Sequence, residues 1–255
     1  MFGRGEGDIL EETVRDAAKH VDALFVADGQ STDGSWEILR RLKAEGVVEH
    51  IQQEDETHDR AQRNSLLAAI RAAYNPVDTI VQVIESDVFL LETNVREAWR
   101  DHAVADVGMG WLMLNACRLP GTWRSFDTYP NWPAPIREIM THAHQLERVT
   151  YTFRPLPGIA FDPWEWRPWP RGFSQYTQEP LDNPRGAMAP LLLHVGYRGP
   201  THFHLKYKHM GKRHSKYRNW WVNSPENVER TVAFFNGDWN GKAFPATRAG
   251  WRNRP

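Results

Sequence analysis

Glu85 and Asp87 flank a single small residue, Ser86, at the end of the apolar run TIVQVI (residues 79–84). Alternate residues of an extended chain point to the same side, so these carboxylates could share a divalent cation such as Mg2+ or Mn2+, which favour oxygen ligands. A second acidic segment lies upstream, in ALFVADGQSTDGSWEIL (residues 23–39). There Asp28 closes a short apolar run, and the turn DGQSTDGS leads into Trp36, Leu39 and Leu42, apolar residues at helical spacing. Asp28 is thereby expected at the carboxyl end of a strand and ahead of a helix, where open α/β sheets bind ligands. Asp33 or Ser35 is expected to cap that helix.

Positive charge gathers in the second half. Between Asp182 and Glu226 there is no Asp or Glu, while Arg185, Arg198, Lys206, Lys208, Lys212, Arg213, Lys216 and Arg218 all occur. The whole chain has a formal charge of -1, so this +8 segment leaves -9 to the remainder. A segment of this kind suits a diphosphate, or a polyanion such as nucleic acid or a lipid phosphate; a solvated basic face is the plain alternative. Tyr197, Phe203, Tyr207, Tyr217, Trp220 and Trp221 are interleaved with it and suit stacking on bases or sugars. Histidines collect in the same region, and His202 and His204, at strand spacing, offer ligands for a transition metal. The Pro/Trp-rich tract from residue 120 to 170 fits either a carbohydrate-stacking surface or a rigid structural loop.

The elements that must hold these residues follow from periodicity. Helical spacing over residues 9–18, 35–44 and 61–74 alternates with apolar runs at 23–27, 47–51 and 79–84, which predicts an α/β fold, a parallel sheet covered by helices. From Val107, VGMGWLML alternates as a further strand. With 255 residues and 41% hydrophobic content, the chain can bury a sizeable core as one domain. No run approaches the roughly 18 apolar residues needed to span a bilayer, and the first 20 residues lack the apolar core of a secretion signal. A cytoplasmic location is the default expectation, with any membrane association peripheral and through the basic aromatic segment. The single cysteine, Cys117, excludes an internal disulfide, and its apolar neighbours predict a buried thiol.

The two acidic segments, in this order and about 50 residues apart, resemble the nucleotide-binding half of a family 2 glycosyltransferase with the GT-A fold. VADGQSTDGSWEIL is similar to that family's VVDDGSTDGTxEIL, and VIESDVFLLE to its strand ending in a DxD-type motif. HDRAQRNSLLAAI resembles its basic-Asn helix start, with Arg63 and Asn64 in place, and GRGEGDILEETV its RNExDIL opening around Arg4, Glu6, Asp8 and Leu10. The match covers roughly residues 4 to 92. It implies a Rossmann-like, mostly parallel sheet flanked by helices, with a nucleotide-sugar-binding half (1–106) and an acceptor-side half (107–255). Three departures stand out. The first strand is reduced to Met1 and Phe2, which predicts a truncated or atypical start; Glu85 stands for the usual first Asp of the acid-x-acid motif; and Gly29-Gln30 replaces the usual Asp-Gly or Asn-Gly.

What the resemblance implies is transfer of a sugar, with inversion, from a nucleotide diphosphate sugar (a UDP-linked one is expected) to a hydroxyl of a saccharide or lipid. Asp28 would contact the nucleoside, Arg63 the pyrophosphate or the acidic loop, and Glu85 and Ser86 the donor. Asp87, with Glu85, would hold Mn2+ or Mg2+. His194, ending the apolar run LLLH, is similar to a C-terminal His that reaches the metal or diphosphate in many GT-A enzymes. Tyr197, Arg198 and Lys206 are similar to the family's closing HY-x-R and basic helix over the donor phosphates. Asp162 or Glu165, after the metal motif in the chain, is the candidate base that takes the acceptor proton, unless each only pairs with Arg167 or Arg171. Two other readings stay open: a glycosyltransferase acting on nucleic acid, such as modified DNA bases, through residues 185–221, and a non-catalytic nucleotide-binding protein of the same fold.

Overall fold

An apolar run such as Phe25-Val26-Ala27 must be covered on both faces, and β2 (Phe25–Asp28) is buried along its whole length. On one side Leu24 and Val26 pack with Leu10, Val14 and Ala17 of α1 (Leu10–Ala18), Leu39 and Leu42 of α2 (Ser35–Ala44), and Ile84. On the other, Phe25 and Ala27 pack against Leu66 of α3 (Asp59–Ala73). The computed structural model describes residues 1–3, 5–54, 59–91, 107–117, 122, 132, 134–161, 170–171, 175–177, 191–196, 198, 233 and 243–247. The chain divides into one unit of Met1–Met113 and Arg148–Leu192 and another of Leu114–Glu147 and Leu193–Pro255.

In the first unit β1 (Phe2–Gly3) and β3 (His50–Gln53) flank β2, both parallel to it. Gly3 pairs with Asp28 and Asp28 with Gln53, so the three strands finish level at their carboxyl ends. The helices follow their apolar stripes. In α1 the buried Leu10, Val14 and Ala17 recur at helical spacing, with Glu11 and Glu12 at the positive end of the dipole. α2 spans residues 35–44 as its periodicity predicts, opening after Gly34 (φ 88°). α3 starts two residues earlier than its apolar spacing suggests.

The short β1 takes a place in the sheet: the Met1 amino group donates to Phe25 O (2.7 Å), and Ala27 N donates to Met1 O (3.0 Å). Beside it lies a cavity of about 390 Å³, lined among others by Met1, Phe25, Leu66, Ile80, Val83 and Phe153. The run 79–84 does not join this parallel sheet as a full strand. Only β4 (Val81–Gln82) forms a ladder, and it pairs antiparallel with the end of β7 (His142–Phe153), Val81 facing Phe153 and Gln82 facing Thr152. The buried Thr152 hydroxyl donates to Gln82 Oε1, giving this pairing a side-chain bond as well. Apolar spacing alone cannot choose a strand's partner, because a hydrophobic face is satisfied by either direction.

After β4 the chain turns into β5 (Val88–Leu90), whose Val88 and Leu90 pack with Leu192 of β11 (Leu191–His194). α3 fastens the later segment of the unit to itself. Arg71 donates to the carbonyls of Pro155 (2.8 Å), Leu156 (2.6 Å) and Ile159 (2.6 Å). Asn64 exchanges two bonds with the backbone of Phe161 in β8 (Ala160–Phe161), which pairs with β9 (Pro170–Arg171). β10 (Gln175–Thr177) runs parallel to the start of β6 (Val107–Cys117), the strand predicted from residue 107. In the second unit, α4 (Ile136–Ile139) precedes the start of β7, and β12 (Phe244–Pro245) pairs antiparallel with His142 and Ala143. The Cys117 side chain lies outside the described residues. Among the described residues no helix is long and apolar enough to cross a membrane.

Candidate functional site

Asp28 ends β2 as its position in the sequence predicts, and its carboxylate organises the turn that follows. It accepts from Ser31 N (3.0 Å), from the Ser31 hydroxyl, and from Gln53 Nε2 at the end of β3 (3.2 Å). Gly5 N in turn donates to Ser31 Oγ (2.9 Å), tying the loop after β1 to the same turn. A buried carboxylate is tolerable when several donors satisfy it, and Asp28 is 2% exposed. Gln30, within the turn, has φ 56°, the left-handed region that the resembled pattern fills with Gly. Asp33 acts at the helix start, although the N-cap position itself is Gly34. Its Oδ1 accepts from Ser35 N (3.2 Å) and the Ser35 hydroxyl (2.6 Å), and its Oδ2 accepts from Gly7 N (2.8 Å).

The acidic triplet departs from the extended geometry expected of it. Glu85 makes a single bridge, Ser86 and Asp87 form a turn, and β5 begins at Val88. The two carboxylates therefore differ in setting: the Glu85 side chain is 47% exposed, whereas Ser86 and Asp87 are buried. The turn hangs on α1. Thr13 Oγ1 donates to Ser86 O (2.7 Å), and Asp16 Oδ2 accepts from Leu90 N (3.1 Å).

Arg63 is the basic residue that the structure brings to this edge. It is buried on α3, with Nη2 3.9 Å from Glu85 Oε1 and its guanidinium 5.6 Å from the centre of the Phe161 ring. The Met1 amine is pushed down to about 5, first by burial and then by the positive charge of Arg63.

Of the other expected site residues, His194 ends β11 in the second unit and is buried, and Arg198 is fully buried there, its Nη1 reaching Val195 O at 3.5 Å. Asp162, Glu165 and Lys206 lie outside the described residues, as do Tyr197, His202, His204 and most of the basic and Pro/Trp-rich stretches. Sequence reasoning passed over Gln53, Ser31, Thr13, Asp16 and Phe161. Only Ser31 carried a local signal, standing three residues after Asp28 in an Asx-type turn; the others come from elements distant in sequence.

The first unit is thus an α/β framework, with acidic and polar groups gathered where its parallel strands end. No protein-family model and no curated protein sequence matches the chain. Among solved structures it is similar to S. aureus TarS 1–349, at 13% identity over 92% of this chain and 69% of that one, with a TM-score of 0.43. It is similar also to the mannosyltransferase PcManGT from Pyrobaculum calidifontis in complex with GDP-Man and Mn2+ (13% identity, 92% and 68% covered, TM-score 0.41). A further S. aureus TarS structure is similar at 12% identity, with 92% and 42% covered and a TM-score of 0.39.

Proposed function

We propose that the chain is a metal-dependent glycosyltransferase that moves a sugar from a nucleotide diphosphate sugar to a hydroxyl. The observation that carries this reading is that the two acidic segments, remote in sequence, share one core. Ile84, just before the acidic turn, packs in the same cluster as Leu24 and Val26, just before Asp28. Arg63 adds a cation beside Glu85. Acidic strand ends with a buried arginine suit a nucleoside at one side and a metal-bridged diphosphate at the other.

Glu85 and Asp87 offer two carboxylates, oxygen donors that suit Mn2+ or Mg2+, and the resemblance adds the imidazole of His194 as a candidate third ligand. When bound, such a cation neutralises charge on the departing diphosphate. Asp28 serves the nucleoside end, and Arg63, Ser86, Arg198 and Lys206 the donor and its phosphates. Asp162 or Glu165 takes the proton of the acceptor hydroxyl while its oxygen bonds to the anomeric carbon and the bond to the phosphate oxygen breaks, with inversion. A UDP-linked donor and a saccharide or lipid acceptor fit the resemblance best, in a cytoplasmic protein with at most peripheral membrane contact. The +8 segment favours one second reading, a nucleic-acid acceptor, whose binding would weaken steeply with salt.

Melting curves against a panel of nucleotide diphosphates and their sugars, with and without Mn2+, test this reading. A ligand that binds only the folded state raises its melting temperature. One nucleotide is expected to give a Mn2+-dependent rise that is lost in Asp87→Ala; no rise with any nucleotide would sink the donor-site assignment.

A further inference from the structure

Thr13 and Asp16 are polar, yet both are buried on the face of α1 that should be apolar. A helical threonine hydroxyl ordinarily donates back to its own helix. Here Leu10 O and Ile9 O lie 3.1 and 3.3 Å away, but the shortest contact is with Ser86 O, at 2.7 Å and 73 residues along the chain. One turn further on, Asp16 Oδ2 takes the N–H of Leu90 at 3.1 Å, and its Oδ1 lies 3.9 Å from Nζ of Lys19, an exposed partner at the C-cap of the helix. The two side chains therefore grip the acidic turn at both ends, Ser86 by its carbonyl and Leu90 by its amide. Asp87 stands between the grips. Ser86 and Asp87 form a turn, with no ladder to fix them, so backbone bonds from the helix set where the Asp87 carboxylate stands.

Resting on the reading of Asp87 as a metal ligand, we infer that Thr13 and Asp16 are positioning residues that set the acidic turn for a divalent cation. A ligand must be held to within about half an ångström of its productive place, and its supporting bonds supply that precision. A helix provides a stiffer support than the turn could provide for itself. The hydroxyl matters at position 13 as a donor, so serine replaces threonine and valine does not. At position 16 an acceptor is needed, so asparagine serves and alanine does not.

The test is Mn2+ affinity of the full chain, measured by calorimetry without nucleotide, beside the melting temperature without metal. Thr13→Val and Asp16→Ala are expected to weaken Mn2+ binding about tenfold or more, in the range seen for outer-shell partners of metal ligands, while Thr13→Ser and Asp16→Asn stay close to wild type. Thr13→Ala serves if Thr13→Val does not fold, since it loses the same donor without setting a second methyl against the Ser86 carbonyl. If Asp87→Ala loses the metal but the Thr13 and Asp16 variants bind it as wild type does, with only the melting temperature lowered, the positioning role is overturned and the metal site stands. If wild type binds no Mn2+, the reading of Asp87 fails and the positioning role fails with it.

Discussion

Gly7 sits against Asp33 closely enough that no side chain fits. A Cβ there would stand 2.7 Å from the Asp33 carbonyl oxygen, a backbone atom that cannot swing away. Gly7→Ala is therefore expected to cost about 1 to 3 kcal/mol, as overpacking does, read as a lower urea midpoint with an unchanged slope. Gln30 presents the opposite case. Its left-handed φ of 56° costs a residue with a Cβ roughly 1 to 2 kcal/mol, while glycine gives back part of that through a freer unfolded chain. Gln30→Gly is expected to be neutral or to stabilise by up to about 1 kcal/mol in the same measurement. The place of Asp28 at the end of a strand was legible in the sequence because it depends on an apolar run of four or five residues. The strain at Gln30 and the crowding at Gly7 were not, since the first runs against residue preference and the second needs two loops brought together.

Helices carry most of what local pattern can reveal, and they also make the contacts that it cannot. The stripes of α1 and α2 specify which faces are buried, because 3.6-residue spacing puts those side chains on one side wherever the helix lies. What Asn64 and Arg71 of α3 do is decided by residues more than eighty positions away. Arg71 satisfies the carbonyls of Pro155, Leu156 and Ile159, and burial pushes its guanidinium below its ordinary pKa. Arg71→Met keeps the aliphatic stem and loses these bonds. An expected cost of about 2 kcal/mol, at the scale of charged hydrogen bonds, should appear in denaturant melts. Hydrogen exchange should quicken around residues 155–161 and leave β2 protected, since β2 is covered by other elements. β4 shows the same limit of local reading: its apolar run was visible, and its antiparallel partner was not.

At the scale of the whole molecule, stability depends on pH through two groups of opposite charge, both of which lose stability on acidification. The Met1 amine has an ordinary value of 8.0 and is lowered to about 5 in the fold, so the folded state disfavours its proton. Its contribution is full above pH 8, falls as the pH drops from 8 to 5, and is flat below that. Linkage puts the loss at about 1 kcal/mol at pH 7 and at most roughly 4 kcal/mol by pH 4. Acetylating this amine should remove the slope between pH 8 and 5, seen by comparing melting temperatures of the two forms. Glu11 adds a smaller effect. The hydrogen bond from Arg41, then that from Arg15, holds its carboxyl below the usual range, so its stabilisation is present above pH 4.5 and lost on further acidification. The pair is exposed enough that Glu11→Gln should cost under about 1 kcal/mol at pH 7. The sequence alone determined the alternation of helices and strands, the two acidic segments and the segregation of charge, because each is written in neighbouring residues or in a sum over them. Tertiary structure alone decided that Thr13 and Asp16 hold the acidic turn, that Gln53 completes the Asp28 site and that Arg63 lies beside Glu85. Each of those contacts joins residues separated by 22 to 74 positions, and only packing of the whole core brings such residues within hydrogen-bond or ion-pair reach.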